Sequence, residues 1–100
     1  MLINLPEIDW QKISDWTIQS QLEKITEEFN EVKVAVAEDD PIEIIKESLD
    51  VMQTCKTLIE MVIVDWETPA GKRMKIEKFL ADHKEKLERK GYLRRKDIES

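Results

Sequence analysis

Residues 18–36, IQSQLEKITEEFNEVKVAV, decide the fold. Ile18, Leu22, Ile25, Phe29, Val32 and Val36 recur at spacings of four, three, four, three and four. That rhythm keeps them on one side of a helix and does not suit the two-residue alternation of a strand. Ser14 and Asp15 stand just ahead and are expected to cap the helix start. Val34 and Ala37 lie off the stripe, so the later turns are expected to meet a second neighbour.

AEDDP, residues 37–41, ends this helix and begins the next. Pro41 suits a first helical position, Asp40 an N-cap, and Glu43 the reciprocal place in a capping box. From 41 to about 66 the apolar residues cover more than half the circumference. Ile45, Leu49, Met52, Ile59 and Ile63 line one side, and Ile44, Val51, Cys55, Leu58 and Val62 the adjoining one. A helix apolar over so wide an arc is expected at the centre of a bundle. Its narrow polar strip includes Glu47 and Asp50.

ETPAGK, residues 67–72, breaks the pattern. A third helix is expected from about 72 to 90, with Ile76, Phe79, Leu80, His83 and Leu87 inward and Gly91 closing it. Residues 1–13 read as an irregular lead-in and 94–100 as a frayed tail. The chain is thus expected to be one all-α domain over 1–100, with about three main helices. A second copy would complete it into a four-helix-type bundle, because the middle helix is too apolar for one chain to cover.

Composition narrows the function. Twenty-two acidic residues against sixteen basic ones give a net charge of −6, which argues against nucleic acid as a partner. The lone Cys55 excludes an internal disulfide and fits a reducing compartment. MLINLPEIDW lacks the basic and apolar regions of a signal peptide, and MVIV, residues 61–64, is too short to cross a bilayer. The reading is a cytoplasmic protein without a membrane partner.

The first helix carries Glu28 and Glu31, three residues apart, and the second carries Glu47 and Asp50 at the same spacing. Such pairs are neighbours on a helix surface, with Cβ atoms about 5–6 Å apart. Packed antiparallel across AEDDP, the two helices are expected to bring both pairs together. Four carboxylates repel one another and need a counter-charge. Oxygen-only ligands suit Mg2+, with Mn2+ as the alternative, and Mg2+ commonly completes its shell with water and substrate phosphates. Ala35 leaves room beside the first pair. The ordinary reading of a single Glu-x-x-Glu remains a solvated helix face.

EEFNE, residues 27–31, followed by KESLD, residues 46–50, resembles the signature of the MazG-like all-α nucleoside triphosphate pyrophosphohydrolases. That superfamily also includes dimeric dUTPases and phosphoribosyl-ATP pyrophosphohydrolases. The similarity extends through IIKESLDVMQTCKTLIEM to HKEKLERKGYL and covers roughly residues 18 to 93. The resemblance implies that Glu28, Glu31, Glu47 and Asp50 hold magnesium, with Glu28 or Glu31 activating water. It implies that Lys86 and Lys90 reach substrate phosphates; Lys84 stands where many relatives carry Asn. It further implies hydrolysis of a nucleoside triphosphate to the monophosphate and pyrophosphate by a homodimer or a dimer of dimers. A non-catalytic helical interaction module that keeps the fold is the expectation from a different class.

The remaining chemistry-bearing residues have structural readings. His83 is expected as a partly buried structural histidine, Cys55 as a small core residue, and Trp10, Trp16 and Trp66 as packing anchors. Lys86, Arg89 and Lys90 suit any helix C-terminus.

Overall fold

The computed structural model describes residues 3–9, 11–67 and 76–94. Among these there are three α-helices and no strand: α1 (Ile18–Ala37), α2 (Pro41–Glu67) and α3 (Ile76–Arg89). The all-α expectation holds. Most of the ETPAGK break, the expected start of the third helix at 72–75, Trp10, the Trp66 side chain and residues 95–100 lie outside what is described. The chain divides into two compact units, Met1–Trp66 and Glu67–Ser100, each treated by itself below. No helix among the described residues is long and apolar enough to cross a membrane.

In the first unit, α1 starts later than Ser14 and Asp15 suggest, since both fall in a turn over residues 11–15. The cap is Thr17. Its Oγ1 accepts the Ser20 N–H at 3.0 Å while Ser20 Oγ accepts the Thr17 N–H at 3.0 Å. Thr17 prevails because it has a reciprocal partner three residues on, so two otherwise orphaned donors are satisfied together. The helix ends in a Schellman motif. Asp39 takes the left-handed conformation at φ 54°, the Asp40 N–H reaches the Ala35 carbonyl at 3.2 Å, and the Asp39 N–H reaches the Val36 carbonyl at 3.1 Å.

Only half of the expected box at the start of α2 is present. Asp40 Oδ1 accepts the Glu43 N–H at 3.2 Å, but the Asp40 N–H is already committed to Ala35. Glu43 pairs instead with Lys46 at 3.5 Å. The link between the helices is therefore very short, and α1 and α2 form an antiparallel hairpin.

The register of the hairpin is readable from two contacts. Gln21 Nε2 donates to the Thr54 carbonyl at 2.9 Å, and seven residues further along α1 Glu28 lies across from Glu47, seven residues back in α2. Ala35, another seven on, is only 3% exposed, and Gln21 only 2%. The face α1 turns to α2 is thus the row Gln21, Glu28, Ala35, with Ile25 and Val32 half-buried beside it. The expected apolar stripe is correct in period but rotated. Ile18, Leu22, Phe29 and Val36 are all exposed; Leu22, Phe29 and Val36 each lie one residue, or about 100°, round from the seam.

The same displacement occurs on α2. Ile44, Val51, Cys55, Leu58 and Val62 are half-buried, and Thr57 and Met61 are buried. Ile45, Leu49, Met52 and Ile59, from the other expected side, are exposed together with Ile42. Ile45 stands two residues, about 200°, round from Glu47, so this surface is turned away from α1. The lead-in is held against α2 despite having no regular structure. Ile13 is buried, Gln53 Nε2 donates to the Pro6 carbonyl at 3.2 Å, and Lys56 pairs with Glu7 at 3.3 Å.

The second unit contributes α3. Gly91, at φ 75°, closes it in a second Schellman motif, with the Tyr92 N–H on the Leu87 carbonyl at 3.0 Å and the Gly91 N–H on the Glu88 carbonyl at 3.0 Å. Of the expected inner residues Ile76 and Leu87 are half-buried, whereas Phe79, Leu80 and His83 are exposed. The expectation of a partly buried His83 therefore fails: the residue is exposed.

Candidate metal centre

Glu28 reaches the seam because it occupies the same helical row as the two buried residues of α1, seven positions from each. Its side chain is only 14% exposed. Glu47 is half-buried on the facing turn of α2, and Asp50, one turn on, is exposed at the rim. One carboxylate oxygen from each of these three residues lies within 4.8 Å of the others. Acids this close cost free energy wherever water is partly excluded.

That cost is visible on Glu47. Partial burial pushes its carboxyl above the ordinary range, and the charges of Glu31, Asp50, Glu28 and Glu43 push it further. Glu31 is exposed and is not one of the three converging residues, although its charge acts on Glu47. Three carboxylates with an open, solvent-facing rim form a hard, all-oxygen donor set, which fits Mg2+ or Mn2+. It is a poor match for metals that prefer nitrogen or sulfur, and neither Cys55 nor His83 belongs to the group.

A fifth residue, absent from the sequence reading, completes the local electrostatics. Lys24 Nζ lies 3.1 Å from Glu28 and 3.6 Å from Glu27. Its hydrogen bond to Glu28, aided by the charge of Glu27, raises the lysine pKa above 10.5. The signal was present in the sequence as a lysine four residues before a glutamate on a helix. Lys24 also borders a cavity of about 310 Å³ lined by Trp16, Ser20 and Gln21, one turn nearer the start of α1. Trp16, expected as a packing anchor, is exposed at this cavity rather than buried. Glu27 is exposed and points away from the seam, supporting Lys24 rather than the cluster.

Lys86 and Lys90 are exposed at the end of α3, in the second unit, where the Lys90 N–H closes onto the Lys86 carbonyl at 3.1 Å. Cys55 is a free, half-buried thiol on α2.

No protein-family model, no curated protein and no solved structure matches the chain. The chemistry of the carboxylate cluster is what remains to speak for function.

Proposed function

We propose that the chain is a divalent-cation-dependent nucleoside triphosphate pyrophosphohydrolase of the MazG-like kind, acting as a homodimer. The observation that carries this reading is the convergence of Glu28, Glu47 and Asp50 from two helices in a partly buried seam. Side chains that pack two helices are ordinarily apolar, and an acidic seam costs stability unless a cation offsets it.

In this reading Glu28, Glu47 and Asp50 supply the oxygens that hold the cation, with Glu31 at the edge of the set. A bound Mg2+ would offset part of the triphosphate's charge and ease deprotonation of water. Water attacks the α-phosphorus, the bond from that phosphorus to the α,β-bridging oxygen breaks, and pyrophosphate leaves. The water proton passes to a carboxylate. Glu31 suits that task better than Glu28, because it is exposed and is not one of the three converging acids, while its charge still acts on Glu47. By the resemblance, Lys86 and Lys90 contact phosphates.

The homodimer is supported by the uncovered apolar surface. Ile42, Ile45, Leu49, Met52 and Ile59 follow a three–four repeat along α2, and Ile45 is 62% exposed. Ile13, Ala35 and Met61 are the buried apolar side chains among the described residues, few for a domain standing alone. The same surface favours the second reading, a non-catalytic interaction module, in which the apolar faces bind another protein and the acids are incidental.

The two readings part on one experiment: pyrophosphate release from ordinary, deoxy- and modified nucleoside triphosphates, with and without Mg2+. Metal-dependent release supports the enzyme. No release from any of them with Mg2+ or Mn2+ refutes it.

A further inference from the structure

We propose that Lys24 is a resident counter-ion that yields Glu28 to the metal and then binds an anionic group of the substrate in the adjoining cavity. This rests on the reading of Glu28, Glu47 and Asp50 as a cation site. It assigns a role to a residue and a cavity that the reading leaves unused.

Three observations meet at this side chain. Lys24 Nζ lies 3.1 Å from Glu28, the least exposed partner in its ion pairs. It therefore occupies the side of the cluster where positive charge is needed. Lys24 is itself 46% exposed at the side chain, so its ammonium is free to move on a flexible four-carbon stem. It also forms one wall of the cavity with Trp16, Ser20 and Gln21.

The other polar groups of that cavity are largely committed. Ser20 Oγ accepts the Thr17 N–H and donates to the Thr17 carbonyl at 2.9 Å, and Gln21 Nε2 donates to Thr54. Among the described residues, the cavity thus offers the Trp16 ring and the Lys24 ammonium. A doubly charged ion on Glu28 repels the ammonium and takes over its partner. Released from Glu28, Lys24 keeps only the longer 3.6 Å pairing with exposed Glu27, and it already stands in the cavity wall. Metal loading and anion binding are then coupled through one residue, and a phosphate oxygen is the anion the proposed reaction supplies.

The test measures two affinities in wild type, Lys24→Gln, Lys24→Arg and Glu47→Gln. One is for Mn2+ alone. The other, at saturating Mn2+, is for a nucleoside triphosphate with a methylene bridge between the α- and β-phosphorus, with tripolyphosphate as the base-free comparison. Lys24→Gln is expected to bind Mn2+ about three- to tenfold more tightly, since a competing positive charge is gone. It is expected to bind both phosphate compounds about tenfold more weakly. Lys24→Arg is expected to recover most of the phosphate affinity.

These opposite signs distinguish the role from a structural one, which would weaken both affinities together. The proposal is overturned if Lys24→Gln leaves Mn2+ affinity unchanged or lowers it, or if phosphate binding is unaffected. If wild type binds Mn2+ and Glu47→Gln does not, such a result refutes Lys24 alone. If wild type binds no Mn2+, the cluster reading falls first and Lys24 with it.

Discussion

Ala35 is a position where the hairpin is sensitive to side-chain volume. It is 3% exposed, seven residues beyond Glu28 in the row that faces α2, and its carbonyl accepts the Asp40 N–H that shapes the turn. Ala35→Leu adds three carbon atoms where the helices already meet. Overpacking of this sort costs about 1–3 kcal/mol, which for a chain of this size lowers Tm by roughly 5–20 °C. Ala35→Gly removes a buried methyl, worth about 0.8 kcal/mol. It also weakens the helix by about 1 kcal/mol, so its loss is comparable although its volume change is opposite. Ala35→Ser nearly preserves volume and is expected to lose less than either. The leucine variant differs in a second way: wedging the helices apart moves Glu28 from Glu47 and lowers Mn2+ affinity, whereas the glycine variant keeps the spacing. Thermal unfolding followed by circular dichroism, with and without Mn2+, reads both effects. An Ala35→Leu protein as stable as wild type, with its Mn2+ response intact, would refute the close approach of α1 and α2 at this position.

Three more perturbations probe the rest of the molecule. Glu47 has a carboxyl pKa raised on folding, so its ionised form opposes folding above that pKa and the penalty is relieved as pH falls through it. Glu47→Gln should therefore raise Tm of the metal-free protein at neutral pH, with the gain shrinking as pH approaches the ordinary glutamate value of 4.5. A pH series of melting curves checks it. Asp39 bears a side chain at φ 54°, where glycine is unstrained, so Asp39→Gly should stabilise by about 0.5–1 kcal/mol in denaturant titrations. Under the proposed homodimer, Ile45→Glu on the exposed face of α2 should lower the particle mass in sedimentation velocity from that of a dimer to the 11.8 kDa of one chain while retaining helix content.

Much of the hairpin is legible in the sequence because its signals are local. Pro41, Asp40 and the broken pattern at AEDDP mark the turn through backbone chemistry alone, and Gly91 marks the end of α3 in the same way. The rotational setting of α1 is not local. A stripe of Ile18, Leu22, Phe29 and Val36 looks like a core face, yet the chain buries Gln21 and Ala35 beside it. Periodicity fixes which residues share a side, but the partner decides which side is covered. With part of the apolar surface turned outward, the polar row was free to become the seam. The pairing of Glu28 with Glu47 and Asp50 follows from the short turn and the equal spacing, so those three are readable. Lys24 was overlooked because an i,i+4 pair ordinarily means a solvated face, and its importance depends on Glu28 being largely buried.

The central claim is that Glu28, Glu47 and Asp50 together hold a divalent cation. Titration of the wild-type chain with Mn2+, followed by calorimetry, tests it most directly, with Glu47→Gln and Glu27→Gln alongside. Saturable binding is expected for wild type and for Glu27→Gln, since the Glu27 carboxylate lies beside Lys24 and solvent. Affinity at least about tenfold weaker is expected for Glu47→Gln, from which a charged ligand has been removed. Equal Mn2+ affinity in wild type and Glu47→Gln, or no saturable binding at all, would contradict the claim.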